Sequence, residues 1–237
     1  MPAQHEDPAE RARRDMVATQ LRRRGIGDER VLAVMGSLPR ERFMESRNRV
    51  AAYADAAAPI AEGQTISQPY VVARMTELLQ VTPGDRILEI GTGSGYQAAV
   101  LASLGARVLS IERIPRLAEA ARERLAALGI EGVAIRVGDG SLGDPEGAPW
   151  DGIIVTAAAP AVPQPLREQL AIGGRLVIPV GERWDQLLLI IERRGPTDWA
   201  ETSDGGVVFV PLIGREGFAE PPGFNSREGV VEPRGGD

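Results

Sequence analysis

The chain contains no cysteine and no lysine: all 27 of its basic Lys+Arg positions are arginine. Without cysteine there is no disulfide, no thiolate nucleophile and no Cys-ligated zinc or iron–sulfur centre. Without lysine there is no Schiff base, no pyridoxal-phosphate anchor and no P-loop lysine. Histidine is nearly absent as well. The one residue, His5, sits in a tail rich in charge and proline, which leaves neither a Ser-His-Asp triad nor a histidine-built metal site. Aromatic residues make up 4% of the chain, too few for a platform that stacks single-stranded nucleic acid. Acids outnumber bases 33 to 27, a net charge of −6 that does not suit a general binder of polyanions. No run approaches the ~18 unbroken apolar residues of a membrane span. The opening MPAQHEDPAERARR lacks the apolar centre of a secretory signal. The expectation is a cytoplasmic protein, with no membrane or nucleic-acid partner, whose chemistry rests on carboxylates, hydroxyls, amides and backbone.

What is present suffices for one large domain, because 237 residues can bury a core without a metal or disulfide staple. Residues 1–14 and 215–237 read as flexible tails, the second rich in Gly, Pro and charge. That leaves 15–214 as the folded domain, with a helical cap over 15–60. In the cap Met16, Leu21, Val31, Leu32 and Met35 form an apolar helical pattern, and Gly25-Ile26-Gly27 reads as a stop. Asp28 reads as the N-cap of a second helix that Pro39 ends. Residues 1–49 hold 11 Arg against 8 acids. Charge spread that thinly reads as a solvated helical face, since a nucleic-acid arm would be denser.

From Asp85 onward strands and helices alternate. Strand runs are expected at Arg86–Ile90, Arg107–Ile111, Val133–Val137, Gly152–Thr156 and Arg175–Val180. Helices are expected at Tyr96–Leu104, Pro115–Leu128 and around Pro165–Leu170, the second with Leu117, Ala121, Leu125 and Leu128 on one face. Such alternation implies right-handed crossovers and a parallel sheet covered on both faces. Leu187–Ile191 and Val207–Leu212 have no convincing helix between them and read as a final antiparallel pair. The expected fold is therefore α/β and Rossmann-like: a seven-stranded, mostly parallel sheet with an antiparallel last pair.

The run Glu89-Ile90-Gly91-Thr92-Gly93-Ser94-Gly95 ends a strand and opens a helix, where glycines permit a tight turn and close approach of a ligand to the backbone. Its third glycine comes one residue earlier than in a dinucleotide fingerprint. Glu112 ends the next strand, 21 residues after Gly91, where a carboxylate can accept from both ribose hydroxyls. Asp139, in Gly138-Asp139-Gly140, ends the third strand and could accept from an adenine amino group. Each acid alone is more simply a loop acid or a helix cap. Together at the ends of three strands they point to a nucleoside ligand. Glu89 beside the loop disfavours a pyrophosphate and suits a cationic end, which describes S-adenosylmethionine.

Several stretches resemble one family. Gly63-Gln64-Thr65-Ile66-Ser67-Gln68-Pro69-Tyr70, LEIGTGSGYQAAVLA (88–102), Ser110-Ile111-Glu112-Arg113, Gly138-Asp139-Gly140 and IIVTAAAP (153–160) occur in the order found in protein-L-isoaspartate O-methyltransferases, followed by GGRLVIPVG (173–181) and Phe209-Val210-Pro211-Leu212. GTGSG is shared with methyltransferases in general, whereas the 63–70 and 153–160 runs are specific. The resemblance spans roughly Met16 to Gly214 and implies the class I S-adenosylmethionine-dependent methyltransferase fold. It implies methylation of the free α-carboxylate of isoaspartyl residues in damaged proteins and peptides, a repair reaction passing through a succinimide and leaving S-adenosylhomocysteine; no metal is expected from the composition, and a monomer is the expected state. The resemblance places Ser67 at the family's active-site serine. Glu89, Gly91, Thr92, Gly93, Gly95, Glu112, Asp139 and Gly140 would hold the cofactor; Gln64, Thr65 and Ile66 would flank cofactor and substrate, and Val210 would lie near the peptide. Ala58, Gly132 and Trp150 depart from the residues usual there, outside these motif positions. A methyltransferase of the same fold acting on tRNA shares the glycine loop but not 63–70. A binding module that had lost catalysis would not need Glu89, Glu112, Asp139 and Ser67 together.

Overall fold

The computed structural model describes residues 7–45, 49, 51–182 and 184–220; His5 and the tail from 221 lie outside the described residues. The first element, α1 (Pro8–Met16), lies largely within the stretch expected to be a flexible tail. Asp7 caps it by accepting from Ala9 N at 3.0 Å, Pro8 occupies the first turn, and Glu10 and Arg13–Arg14 match the two ends of the helix dipole. The helix continues through a π-helical turn (Val17–Leu21) and a 3-10 turn (Arg22–Arg24), and ends at the expected glycine stop with Gly25 at φ 96°. As expected, Asp28 caps α2 (Glu29–Ser37), accepting from Arg30 N and Val31 N. Met16, Leu21, Met35 and Phe43 are at most 1% exposed, and burying such side chains contributes about 1.5–3 kcal/mol each. The arginine-rich N-terminal region is thus packed onto the domain.

Two short strands, β1 (Ala58–Pro59) and β2 (Thr65–Ile66), pair antiparallel, and α3 (Pro69–Leu79) follows. The main sheet comprises β3 (Arg86–Ile90), β4 (Arg107–Glu112), β5 (Val133–Val137), β6 (Trp150–Val155), β7 (Leu170–Glu182), β8 (Asp185–Arg193) and β9 (Trp199–Val207). Helices α4 (Tyr96–Ser103), α5 (Pro115–Ala127) and α6 (Gln164–Glu168) connect its parallel part. The spatial order is β5-β4-β3-β6-β7-β8-β9, parallel from β5 to β7 and antiparallel at β7–β8 and β8–β9. The expected fold class is the observed one.

Two boundaries need correction. Val207–Leu212 is not the last strand. That place belongs to β9, and the chain after Val207 leaves the sheet to pass over Ala158, which donates to Val210 O at 2.8 Å and accepts from Leu212 N at 2.7 Å. Pro211 has no N–H to give a ladder. Nor does the C-terminal tail begin at 215: Phe218 N donates to Leu212 O at 2.7 Å, folding 213–218 back on itself.

The period-2 alternation of the strands sorts their side chains to two cores. Ile87, Ile154 and Val177 face one core with the cap, α3 and α4, while Leu88, Ile90, Ile153, Val155 and Ile178 face the other with α6 and Leu212. Because β3 has β4 on one side and β6 on the other, the chain reverses direction of winding there. Open α/β sheets bind ligands in the crevice at such a switch point, outside the carboxyl ends of the strands.

Candidate active site

The glycine loop leaves β3 at this crevice. Gly91 N donates to Ile111 O at 2.8 Å, tying the loop to β4. Thr156, just after β6, donates through Oγ1 to Ile90 O at 3.0 Å and Gly91 O at 2.6 Å, tying it to the other neighbour. Glu112 braces the loop from the end of β4: Oε2 accepts from Gly93 N at 2.9 Å and Oε1 from Ile114 N at 3.0 Å. Its carboxyl is 5% exposed, and burial raises its pKa against the opposing pull of those amides.

Three spaces meet around this loop. A cavity of about 290 Å³ is lined by Gln64, Gly91, Gly93, Glu112, Gly140 and Val210, with Ile90, Ile111 and Leu212 as apolar wall. A groove of about 520 Å³ on the cap side is lined by Arg24, Ser67, Tyr70, Arg74, Trp184 and Phe209. A narrow space of about 40 Å³ lies beside them, lined by Thr65, Ile66, Ser67, Thr92 and Gly93. Thr65 and Thr156 border all three. One mouth can therefore admit a nucleoside-bearing ligand and the other an extended chain, with the Thr65–Ser67 segment where they join.

Most of the expected site residues gather here, with five differences. Glu89 does not line any of these spaces: it is 0% exposed, beneath the loop, where Ser110 Oγ donates to its Oε2 at 2.5 Å. Thr92 Oγ1 lies 2.5 Å from the same Ser110 hydroxyl, so its side chain serves this network. Gly95 faces Ala121 of α5, which a Cβ at Gly95 would approach to 3.3 Å. Val210 lines the smaller cavity, while its neighbours Val208 and Phe209 line the groove. Asp139 sits at the expected strand end, but Oδ1 accepts from Ser141 N at 2.9 Å and Oδ2 from Arg215 N at 2.8 Å. The second bond belongs to a strap the sequence did not reveal. Glu216 N donates to Ser141 Oγ at 3.0 Å, and Glu220 pairs with Arg113 at 2.6 Å, across the rim of the smaller cavity.

Burial, aided by the nearby charge of Glu112, pushes the Glu89 carboxyl up to about 8 against the Ser110 hydrogen bond. The folded chain then holds a proton that the unfolded chain, with an ordinary carboxyl near 4.3, releases. Stability should fall as pH rises from about 4.5 to about 8 and level off above. Glu89→Gln should remove that slope: its melting temperature should exceed the wild type's at pH 8 and not at pH 4.5. Parallel slopes in the two proteins would show that Glu89 is ionised in the fold.

Thr156 and the groove residues Arg24, Tyr70, Arg74, Trp184 and Phe209 were given no site role from sequence. Thr156 falls in the specific 153–160 run, but a threonine after a strand does not by itself reveal a role. Arg74 binds Asp204 of β9 and lies 2.7 Å from Glu77, a contact that depends on the placement of an edge strand.

The whole arrangement matches known proteins closely. Residues 12–217 match the family described as protein-L-isoaspartate(D-aspartate) O-methyltransferase (PCMT). The chain is 55% identical over 213 residues to a protein-L-isoaspartate O-methyltransferase of Methanoculleus marisnigri, covering 90% of this chain and 96% of that one. It is 54% identical over 209 residues to the one from Magnetococcus marinus, covering 88% and 91%. Among solved structures, a protein-L-isoaspartate O-methyltransferase superposes with a TM-score of 0.76 at 30% identity, over 86% of this chain and 67% of that one. A Plasmodium falciparum relative described by the same activity, in complex with S-adenosyl-L-homocysteine, superposes with a TM-score of 0.73 at 26% identity, over 85% and 98%. Family match, sequence identity and superposition agree: the chain belongs to the protein-L-isoaspartate(D-aspartate) O-methyltransferase family.

Proposed function

We propose that this chain methylates by alignment alone, holding an isoaspartyl α-carboxylate at Thr65–Ser67 in line with the methyl donor and using no general base. The activity follows from the family: the protein is an S-adenosylmethionine-dependent enzyme that methylates L-isoaspartyl residues in protein repair. The smaller cavity suits an adenosine-bearing cofactor. It combines the Glu112 carboxylate, an acceptor for ribose hydroxyls, with apolar walls of Ile90, Ile111 and Leu212, and bare backbone at Gly93. Gly91, Gly140 and the Gln64 side of the loop would complete its walls, Glu89, Thr92 and Gly95 would support the loop from beneath and behind, and Asp139 would fix the strap at the nucleoside end.

S-adenosylmethionine, when bound, supplies a methyl group activated on a sulfonium. The protein's task is then positional. A peptide-like carboxylate is already ionised at pH 7, its reference pKa being near 4, so no proton has to move. This fits a site without histidine, lysine or cysteine. Alignment can supply roughly 7–11 kcal/mol of barrier reduction. The observation that carries the reading is that Thr65 and Thr156 border both the smaller cavity and the groove, while Ser67 opens on the groove. Ile66, 3% exposed, closes the wall behind them.

We place the enzyme in the cytoplasm as a monomer acting on isoaspartyl-bearing proteins and peptides, without nucleic-acid or membrane partners. One chain builds both cavities, and among the described residues no helix is long and apolar enough to cross a membrane. The deciding assay pairs labelled S-adenosylmethionine with two peptides that differ only in an isoaspartyl or an aspartyl linkage. Base-labile label is expected on the isoaspartyl peptide alone; label on both, or on neither, would overturn the assignment.

Cofactor binding should depend on Glu112. Losing its charged hydrogen bonds to the ribose should cost about 1.5–3 kcal/mol, so Glu112→Ala should weaken binding about ten- to a hundredfold by calorimetry. Unchanged affinity in a folded variant would place the ribose elsewhere.

A further inference from the structure

We propose that Arg40, which is remote in sequence from every site motif, is a positioning residue that sets the Ser67 segment against the glycine loop for methyl transfer. The inference rests on the activity assigned above. Arg40 follows α2 and is 1% exposed. Its Nε donates to Ala52 O at 2.7 Å and its Nη2 to Ser67 O at 2.7 Å. Its guanidinium centre lies 4.9 Å from the ring centroid of Tyr96. Tyr96 is the first residue of α4, immediately after the glycine loop, and its N donates to Ser94 Oγ at 3.2 Å within that loop. One planar cation therefore touches the cap, the substrate segment and the helix that carries the cofactor loop.

Stability alone is a poor reason for an arginine here. Among the described residues Arg40 forms no ion pair, and its Nη1 is buried without a hydrogen-bond partner. A buried charge without a counter-ion carries a desolvation cost that an apolar side chain of similar length would avoid. What the apolar residue could not do is hold two carbonyls in fixed directions. The Ser67 carbonyl is one of them, and fixing that peptide plane fixes the direction in which the Ser67 side chain leaves the backbone. The face of Tyr96 completes the link, because a cation over an aromatic ring resists lateral shift of either partner. Lysine cannot substitute, since it has no planar fork to span both carbonyls.

The test compares Arg40→Lys and Arg40→Met with wild type. Melting temperature is recorded, and calorimetric affinity for S-adenosylmethionine and methylation of an isoaspartyl peptide, at saturating cofactor and over a range of peptide concentrations, are measured well below the melting transition. A misplacement of the order of 1 Å can cost about a hundredfold in rate. Both variants should therefore bind cofactor within about threefold of wild type, a difference of under 1 kcal/mol, yet transfer methyl about a hundredfold more slowly, with the loss in kcat rather than KM. A folded variant that methylates at the wild-type rate would overturn the proposal. So would variants whose rate falls only in step with cofactor affinity or folded fraction, which would make Arg40 a folding residue. Wild-type protein inactive on the peptide would overturn the activity reading and this proposal together, whereas an active wild type with undiminished variants would overturn this proposal alone.

Discussion

Gly91→Ala should all but abolish cofactor binding, weakening it more than about a hundredfold, and should lower the melting temperature by several degrees. Gly91 has φ 94°, and a Cβ built there would collide with Thr156 Oγ1. The left-handed backbone alone costs an L-residue roughly 1–2 kcal/mol. Moving Thr156 would also break the hydrogen bond that its one hydroxyl proton shares between Ile90 O and Gly91 O, worth about 0.5–1.5 kcal/mol. At about 2–4 °C per kcal/mol for a chain of this size, the sum is measurable by thermal melting. The binding loss follows because the loop's course past Gly91 and Gly93 forms the cavity wall. Gly93→Ala is the informative contrast. At φ 52° it carries the same left-handed backbone cost of about 1–2 kcal/mol, but its Cβ would meet nothing closer than Ile60 Cδ1 at 3.8 Å, so it should lose less melting temperature than Gly91→Ala, and an affinity loss as large as that variant's would report a ligand passing against the Gly93 backbone. Native affinity in Gly91→Ala would show that the loop can shift without altering the cavity.

The parallel half of the sheet was legible because its strands combine apolar alternation with glycine and proline punctuation. Arg86–Ile90 and Val133–Val137 match β3 and β5 residue for residue. The last strand was not legible. Residues 199–207 include Glu201-Thr202-Ser203-Asp204-Gly205-Gly206, all exposed on an edge strand, so there is little apolar pattern to read. Val207–Leu212 carries the β-branched residues instead, yet serves as a crossing segment over the strand ends. The first helix hid for the opposite reason: Pro8–Arg14 is dense in charge and shows only Ala9 and Ala12 to the core, so its capping signals were outweighed by its composition. Glu89 shows how burial escapes a one-dimensional reading. It stands between Leu88 and Ile90 in a strand covered on both faces, which puts its carboxyl among packed side chains. The Asp139–Arg215 bond and the Arg40–Ser67 link join segments 76 and 27 residues apart, and spacing within one segment cannot announce either.

Ser67→Ala should lower the methylation rate about ten- to a hundredfold, with cofactor affinity and melting temperature little changed. A helix cap is the competing explanation for this serine, since Ser-x-Pro suits the start of a helix. The structure removes it: Gln68 occupies the N-cap position, and no side chain caps the helix. Ser67 instead borders the groove and the narrow space beside the glycine loop, next to Thr65. A hydroxyl there can donate to one oxygen of a bound carboxylate while the other faces the methyl donor. Hydrogen bonds to a charged group are worth about 1.5–3 kcal/mol, which is the stated range in rate. The loss should appear in kcat because the hydroxyl sets the direction of the carboxylate, so that without it the bound substrate is misaligned with the methyl donor. Removal of residues 1–6, and with them the chain's one histidine, should leave the rate unaltered, as should changing the buffer pH between about 6 and 8, where the peptide carboxylate stays ionised. A fully active Ser67→Ala protein would mean that Ser67 does not align the carboxylate, and a rate that titrates in that interval with the pKa of a histidine would mean that a proton is transferred after all and that alignment is not sufficient.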